Sequence, residues 1–134
     1  MAPLITIVDD DRLVRRAVLR LVKSVGVEVH GFASAEEFLQ ADSLYDPDCL
    51  ILDIGLPGMS GLELQRWLIE TGRTPKIIFV TARDEVEVRA QALQAGAFAF
   101  LGKPFRDEVL LQAIRTILQP DVTVTRASNG SDWP

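Results

Sequence analysis

Short apolar runs rich in β-branched residues alternate along this chain with stretches whose apolar residues recur every three or four positions. Leu4 to Val8 is the first run and reads as a strand. After it, Leu13, Val14, Ala17, Val18, Leu21, Val22 and Val25 make one helical stripe that Gly26 can stop. Val27 to Phe32 predicts an edge strand, because Glu28 and His30 alternate with Val27 and Val29. Ser34 and Glu37 then have the spacing of a capping box. Cys49 to Leu52 is apolar on both faces, as a central parallel strand must be. Ser60 and Glu63 repeat the box ahead of Leu64, Trp67 and Leu68, with Gly72 as the stop. Ile77 to Val80 predicts the fourth strand. A weaker helix follows, with Asp84 as its cap, Val86, Ala90 and Leu93 as its face, and Gly96 at its end. Phe98 to Leu101 predicts the fifth strand, and Val109, Leu110, Ala113, Ile114, Ile117 and Leu118 the last helical stripe.

Five strands alternating with five helices predict an α/β fold with a parallel sheet covered on both faces. Right-handed crossovers leave few topologies. Residues 1–119 carry all of this pattern and predict one domain. Residues 120–134 are polar and aperiodic, a tail or the start of a linker, and Trp133 within them has no assignable packing.

Composition narrows the function classes. With 134 residues, 48% hydrophobic and 25% charged, the chain can bury one core unaided. Its formal net charge of -5 and its lack of any basic stripe argue against nucleic-acid contact by this domain. No apolar run approaches the roughly 20 residues that cross a bilayer. The start, MAPLITIVDDD, lacks the basic region and cleavage site of a signal peptide. The single cysteine, Cys49, lies in an apolar run and reads as a buried core thiol. A cytoplasmic protein that does not touch membranes is expected.

The candidate chemistry sits where strands end. In open parallel sheets, ligands bind beyond the carboxyl ends of the strands, where strand order reverses. The first strand ends in Asp9, Asp10 and Asp11, the third in Asp53, the fourth in Thr81, and the fifth in Lys103 after a short extension. Each residue alone has an ordinary explanation: Asp11, for example, is a natural helix cap. Together they are harder to dismiss, because two carboxylates about 4 Å apart repel by about 4 kcal/mol at an effective dielectric of 20. A lysine or a bound cation must offset that. An all-oxygen donor set suits Mg²⁺, with Mn²⁺ as an acceptable substitute. Thr81 and Lys103 suit a phosphoryl group, and a carboxylate can itself be a phosphoryl acceptor.

The ordered set IVDDD, ILDIGLPGMSG, IIFVTA and FLGKPF resembles the receiver domains of two-component response regulators, over roughly Leu4 to Leu118. It is most similar to receivers of the nitrogen-fixation regulator type. The resemblance implies a flavodoxin-like, doubly wound sheet of order 2-1-3-4-5. It implies that Asp53 is phosphorylated by a partner histidine kinase or phosphotransfer protein. Asp10, Asp53 and the Gly55 carbonyl would hold Mg²⁺, with Asp9 acting through water. Lys103, before a cis Pro104, would pair with the phosphoryl oxygens, which Thr81 and the Ala82 amide would also approach. Phe100 would turn inward in concert, altering the fourth-helix, fifth-strand and fifth-helix surface read by an output domain or protein target. A phosphorylation-dependent homodimer is compatible with this, but Ala99 removes an aspartate common in receivers that dimerise through salt bridges. Gly55 and Arg83 also depart from the usual residues, and Arg83 is expected to cover the site across the gap at Gly55. Gly102 is expected to loosen Lys103.

Two other readings compete. Asp9 and Asp11 have the D-x-D spacing of haloacid-dehalogenase-type phosphatases, which makes Asp9 the nucleophile but leaves Asp53 unexplained and wants a late acidic pair where Asp107–Glu108 is an ordinary helix start. Alternatively, the fold is a phosphorylation-independent interaction module. His30, on an edge strand, is expected to be half-exposed and not a phosphorelay residue.

Overall fold

The computed structural model describes residues 3–41 and 46–119, so the expected tail and Trp133 lie outside the described residues. The elements run β1 (Leu4–Val8), α1 (Arg12–Lys23), β2 (Glu28–Phe32), α2 (Ala35–Ala41), β3 (Cys49–Leu52), α3 (Gly61–Glu70), β4 (Lys76–Thr81), α4 (Val86–Gln94), β5 (Ala99–Gly102) and α5 (Asp107–Leu118). All strand pairs are parallel, in the order β2-β1-β3-β4-β5. This is the flavodoxin-like arrangement expected, with the reversal of strand order between β1 and β3.

Strand alternation divides the core into two layers. Val8, Leu50, Leu52 and Phe79 face Phe38, Leu64, Leu68 and Ala92 of α2, α3 and α4. Ile5, Ile7, Ile51, Ile78 and Val80 face Val18, Val22, Leu110 and Ile114 of α1 and α5. Each side chain of β3 is fully buried, which explains its unbroken apolar run. Cys49 is among them, its thiol pushed up to about 12 by burial and therefore inert.

The helix starts follow local chemistry. Asp11 accepts from the Leu13 and Val14 amides at 3.0 and 3.2 Å, capping α1. Ser60 and Glu63 form the complete capping box of α3. Glu37 donates its amide to Ser34, but its carboxylate accepts from Ala33 N–H, one residue earlier than the box requires.

Several expectations need correction. Strand β2 starts at Glu28, after Val27, and β4 gains Lys76 and Thr81. Strand β5 is Ala99–Gly102, one residue later at each end than expected; the Phe98 amide still bonds the Ile77 carbonyl of β4, and its ring is partly exposed. Leu13, Ala17, Trp67 and Val109 also lie toward solvent, at the margins of their stripes. The largest error concerns α4. Val86, Ala90 and Leu93 face outward, and Val88 and Ala92 face the core. The buried Gln65 amide donates to the Ala92 carbonyl at 3.0 Å and fixes that rotation. The α4 cap is Glu85 without a side-chain bond, and Asp84 turns instead to Arg89.

Candidate functional site

Register brings the acids together. Val8 pairs with Leu52, so Asp9 and Asp53 leave adjacent strands side by side at the point where strand order reverses. The Asp53 amide donates to the Val8 carbonyl at 3.0 Å, and the Asp9 amide to the Phe32 carbonyl at 3.1 Å. Both acids are thus fixed by continued ladder bonding. From β5, two strands beyond β3, Lys103 reaches back, its own amide held by the Thr81 carbonyl at 2.8 Å. Its Nζ donates to Asp9 Oδ2 at 2.9 Å and to Asp53 Oδ2 at 3.1 Å. The Lys103–Pro104 peptide bond is cis.

The remaining carboxylate oxygens also have partners. Asp9 Oδ1 accepts from Asp11 N–H at 2.9 Å, and Asp53 Oδ1 from Gly55 N–H at 3.2 Å. Asp10 is exposed, yet its carboxylate lies with those of Asp9 and Asp53 so that one oxygen of each falls within 4.8 Å of the others. Burial raises the Asp9 pKa above its ordinary 3.8, against the lowering effect of its hydrogen bond to Lys103. Burial would lower the Lys103 pKa, but hydrogen bonds to Asp9 and Asp53 outweigh it and leave it raised. One ammonium thus faces more negative charge than it can neutralise. The shortfall and the hard oxygen donors fit a divalent cation such as Mg²⁺.

The structure places the other expected residues around this pocket. Thr81 is fully buried, and its Oγ1 accepts from the Arg83 amide at 3.1 Å. Ala82 is exposed beside it. Arg83 leans toward Gly55: a Cβ there would lie 3.8 Å from Arg83 Cδ, while the guanidinium pairs with Glu85 at 3.6 Å. Phe100 is 3% exposed, with its ring 6.0 Å from that of Phe79. The expectation that Gly102 loosens Lys103 is not met, since two carboxylates hold the ammonium and Asp84 fills the space at Gly102. His30 is half-buried and bonded to Glu28 at 2.8 Å.

Three supporting residues escaped the sequence reading. A Cβ on Gly61 would meet the Asp53 carbonyl oxygen at 2.2 Å, so only glycine lets α3 start against the acceptor strand. Arg15 Nη1 donates to the Asp9 carbonyl at 2.7 Å, bracing the acidic turn from α1. Glu36 accepts from the Met59 amide at 2.7 Å and ties the loop after Asp53 to α2. The glycine after the Ser60 cap was the one visible signal. The other two are long-range contacts that no local pattern announces.

A five-stranded parallel α/β fold with an acidic pocket and a lysine at its switch point defines a class of phosphoacceptor signalling proteins. Residues 5–115 match the family described as the response regulator receiver domain, and the chain belongs to that family. It is 46% identical over 115 residues to response regulator protein TmoT of Ectopseudomonas mendocina, covering 86% of this chain and 52% of that protein. It is 37% identical over 112 residues to transcriptional regulatory protein FixJ of Azorhizobium caulinodans, covering 84% and 53%. A response regulator receiver protein from Burkholderia phymatum, with a solved structure, is similar at 44% identity and a TM-score of 0.75, covering 87% of this chain and 94% of that one. The chain spans about half the length of TmoT and FixJ. It is a receiver domain of a two-component response regulator, a signalling phosphoacceptor. Asp107 and Glu108 form the exposed first turn of α5, the ordinary helix start expected, with Glu108 opposite Arg106. Among the described residues no helix is long and apolar enough to cross a membrane.

Proposed function

We propose that Asp53 accepts a phosphoryl group and that Asp9, Asp10 and Lys103 make the transfer possible. The observation that carries this is the single ammonium shared by Asp9 and Asp53, with Asp10 close enough to complete a cation site. Asp53 presents more of its side chain to solvent than Asp9, 11% against 2%, which favours it as the attacking carboxylate. A carboxylate oxygen of Asp53 forms a bond to phosphorus as the donor's P–N or P–O bond breaks, and the leaving group takes the departing electron pair. Asp10, Asp53 and the Gly55 carbonyl would hold Mg²⁺, with Asp9 acting through water and Mn²⁺ able to substitute. The cation supplies charge neutralisation on the transferring oxygens. Lys103 keeps Asp53 oriented and then pairs with a phosphoryl oxygen. Lys103, already held on both acids, needs little reorganisation at the moment of transfer.

Thr81 is the natural responder. Its hydroxyl is one residue beyond the level of Asp53 and, among the described residues, bonds its own loop, accepting from Arg83 N–H. Transfer of that hydroxyl, and of the Ala82 amide, to the phosphoryl oxygens would pull the β4–α4 loop inward. Phe100 lies two residues before Gly102, the register partner of Thr81, so its ring shares the packing that changes. The surface of α4, β5 and α5 is then the readout for an output domain or protein target, and a homodimer is one form it can take. The stem of Arg83 over Gly55 shields the site from water and slows hydrolysis. The donor is a histidine kinase or phosphotransfer protein of a cytoplasmic phosphorelay.

The test is incubation with acetyl phosphate, with and without Mg²⁺, followed by intact-mass measurement and peptide mapping. One phosphoryl addition on Asp53 that needs Mg²⁺ and vanishes in Asp53→Asn is expected. Label on Asp9, or Mg²⁺-independent labelling, would sink the assignment.

A further inference from the structure

Arg89, on the first turns of α4, lies over the Phe100 ring with its guanidinium carbon 5.3 Å from the ring centroid. Its Nη1 donates to Asp84 Oδ1 at 3.4 Å. In this rotamer Asp84 occupies space that a side chain on residue 102 would enter. A Cβ on Gly102 would come within 2.6 Å of Asp84 Oδ2 and 3.0 Å of its Cγ. Gly102 is also the register partner of Thr81. Four residues from the β4–α4 loop, α4 and β5 therefore form one contact chain, running from Gly102 through Asp84 and Arg89 to the ring.

The ring has somewhere else to go. A groove of about 490 Å³, lined in part by Arg89, Phe100, Pro104 and Val109, opens beside it at the surface. Arg89, which lies over the ring, lines the same groove. We propose that Arg89, anchored by Asp84 in the notch at Gly102, is a positioning residue that holds Phe100 in its inward place and sets the balance between inward and outward rings. This rests on the reading of Phe100 as a switch residue.

The two interactions are individually modest. Both partners of the Asp84–Arg89 pair are about half exposed, so the ion pair alone contributes little. Its effect is to restrict a long flexible side chain to the rotamer that covers the ring, which lowers the entropy cost of the cation–π contact. Loss of either partner should therefore cost nearly as much as loss of both. Two independent surface contacts would not behave in that way.

The experiment places para-fluorophenylalanine at position 100 of the whole chain and reads ring populations by fluorine NMR. Arg89→Ala, Asp84→Ala and Gly102→Ala should each raise the outward-to-inward ratio, roughly three- to tenfold for Arg89→Ala. Arg89→Lys should restore part of the wild-type ratio, and Arg89→Ala with Asp84→Ala should shift it no further than Arg89→Ala alone. A ratio unmoved by Arg89→Ala, whose side chain is surface-accessible and whose loss leaves the fold intact, would overturn the proposal. So would additive effects of the two alanine substitutions. Adding Mg²⁺ and beryllofluoride to the wild type separates the two readings. If the wild-type ring ignores the phosphoryl mimic while the variants shift as expected, the switch role fails and the positioning role stands.

Discussion

Lys103→Met should unfold this domain more easily without Mg²⁺ and much less so with it. At an effective dielectric near 20, unit charges no more than 4.8 Å apart repel by at least about 3.5 kcal/mol. The two contacts of Lys103, at 2.9 and 3.1 Å, each attract by about 5.5 kcal/mol on the same scale. Those gains are offset by desolvation of three charged groups, and removing one partner of such a cluster typically costs about 3–5 kcal/mol. Lys103 keeps a 20% exposed side chain, so the lower end, about 3 kcal/mol, is the expected loss in EDTA. A divalent cation neutralises the same carboxylates, and at about 100 times its dissociation constant it stabilises a fold by about 2.7 kcal/mol. The variant, freed of the ammonium that repels the ion, should bind it more tightly than the wild type. Urea unfolding followed by circular dichroism, with the slope m held constant, measures each term. An equal loss in EDTA and in saturating Mg²⁺ would refute the idea that ion and ammonium share one task.

Gly61→Ala should destabilise by at least the 1–3 kcal/mol typical of overpacking, because its Cβ meets backbone atoms of Asp53 that cannot turn aside; thermal unfolding checks this, and an unchanged midpoint would contradict it. Stability should also fall as pH rises past 10.5, because the folded Lys103 holds its proton more tightly than the unfolded chain does. That contribution is fully present below 10.5 and is lost as pH climbs through the higher folded value. In EDTA the wild-type minus Lys103→Met stability difference should shrink over that range, as urea titrations would show. Asp9 has the same sign at the acid end: stability is lost as pH rises from 3.8 through its raised value, and Asp9→Asn should remove that loss. Arg83→Ala should speed loss of phosphoryl from the labelled protein, read by mass over time; an unchanged rate would remove Arg83 from the site.

The sheet was legible because strands buried on both faces leave a plain trace. The run Cys49–Leu52 can only be central, and register then dictates which strand ends meet. Asp9, Asp53 and Lys103 could be brought together from the chain alone, since each follows a strand and the sheet order fixes their neighbours. What escaped was rotation about an axis. Helix α4 has a weak apolar pattern, and its alanines read equally well on either side. The choice was made by Gln65 of α3, bonding the Ala92 carbonyl from elsewhere in the chain. Asp84 was misread for a related reason. A residue ahead of a helix looks like a cap, and its real partners, Arg89 and the notch at Gly102, are set by tertiary contact.

Two of the glycines that depart from the family's usual residues face the β4–α4 loop. The Arg83 stem stands 3.8 Å from where a Cβ on residue 55 would lie, and the Asp84 carboxylate occupies the space beside Gly102. Arg83 and Asp84 follow Thr81 after Ala82, and the Thr81 hydroxyl accepts from the Arg83 amide. The proposed motion of Thr81 toward Asp53 would begin at the hydroxyl that holds the Arg83 amide, one residue from the Asp84 carboxylate that bonds the guanidinium over Phe100. A larger side chain at position 102 would displace the Asp84 carboxylate from that space without touching the acids.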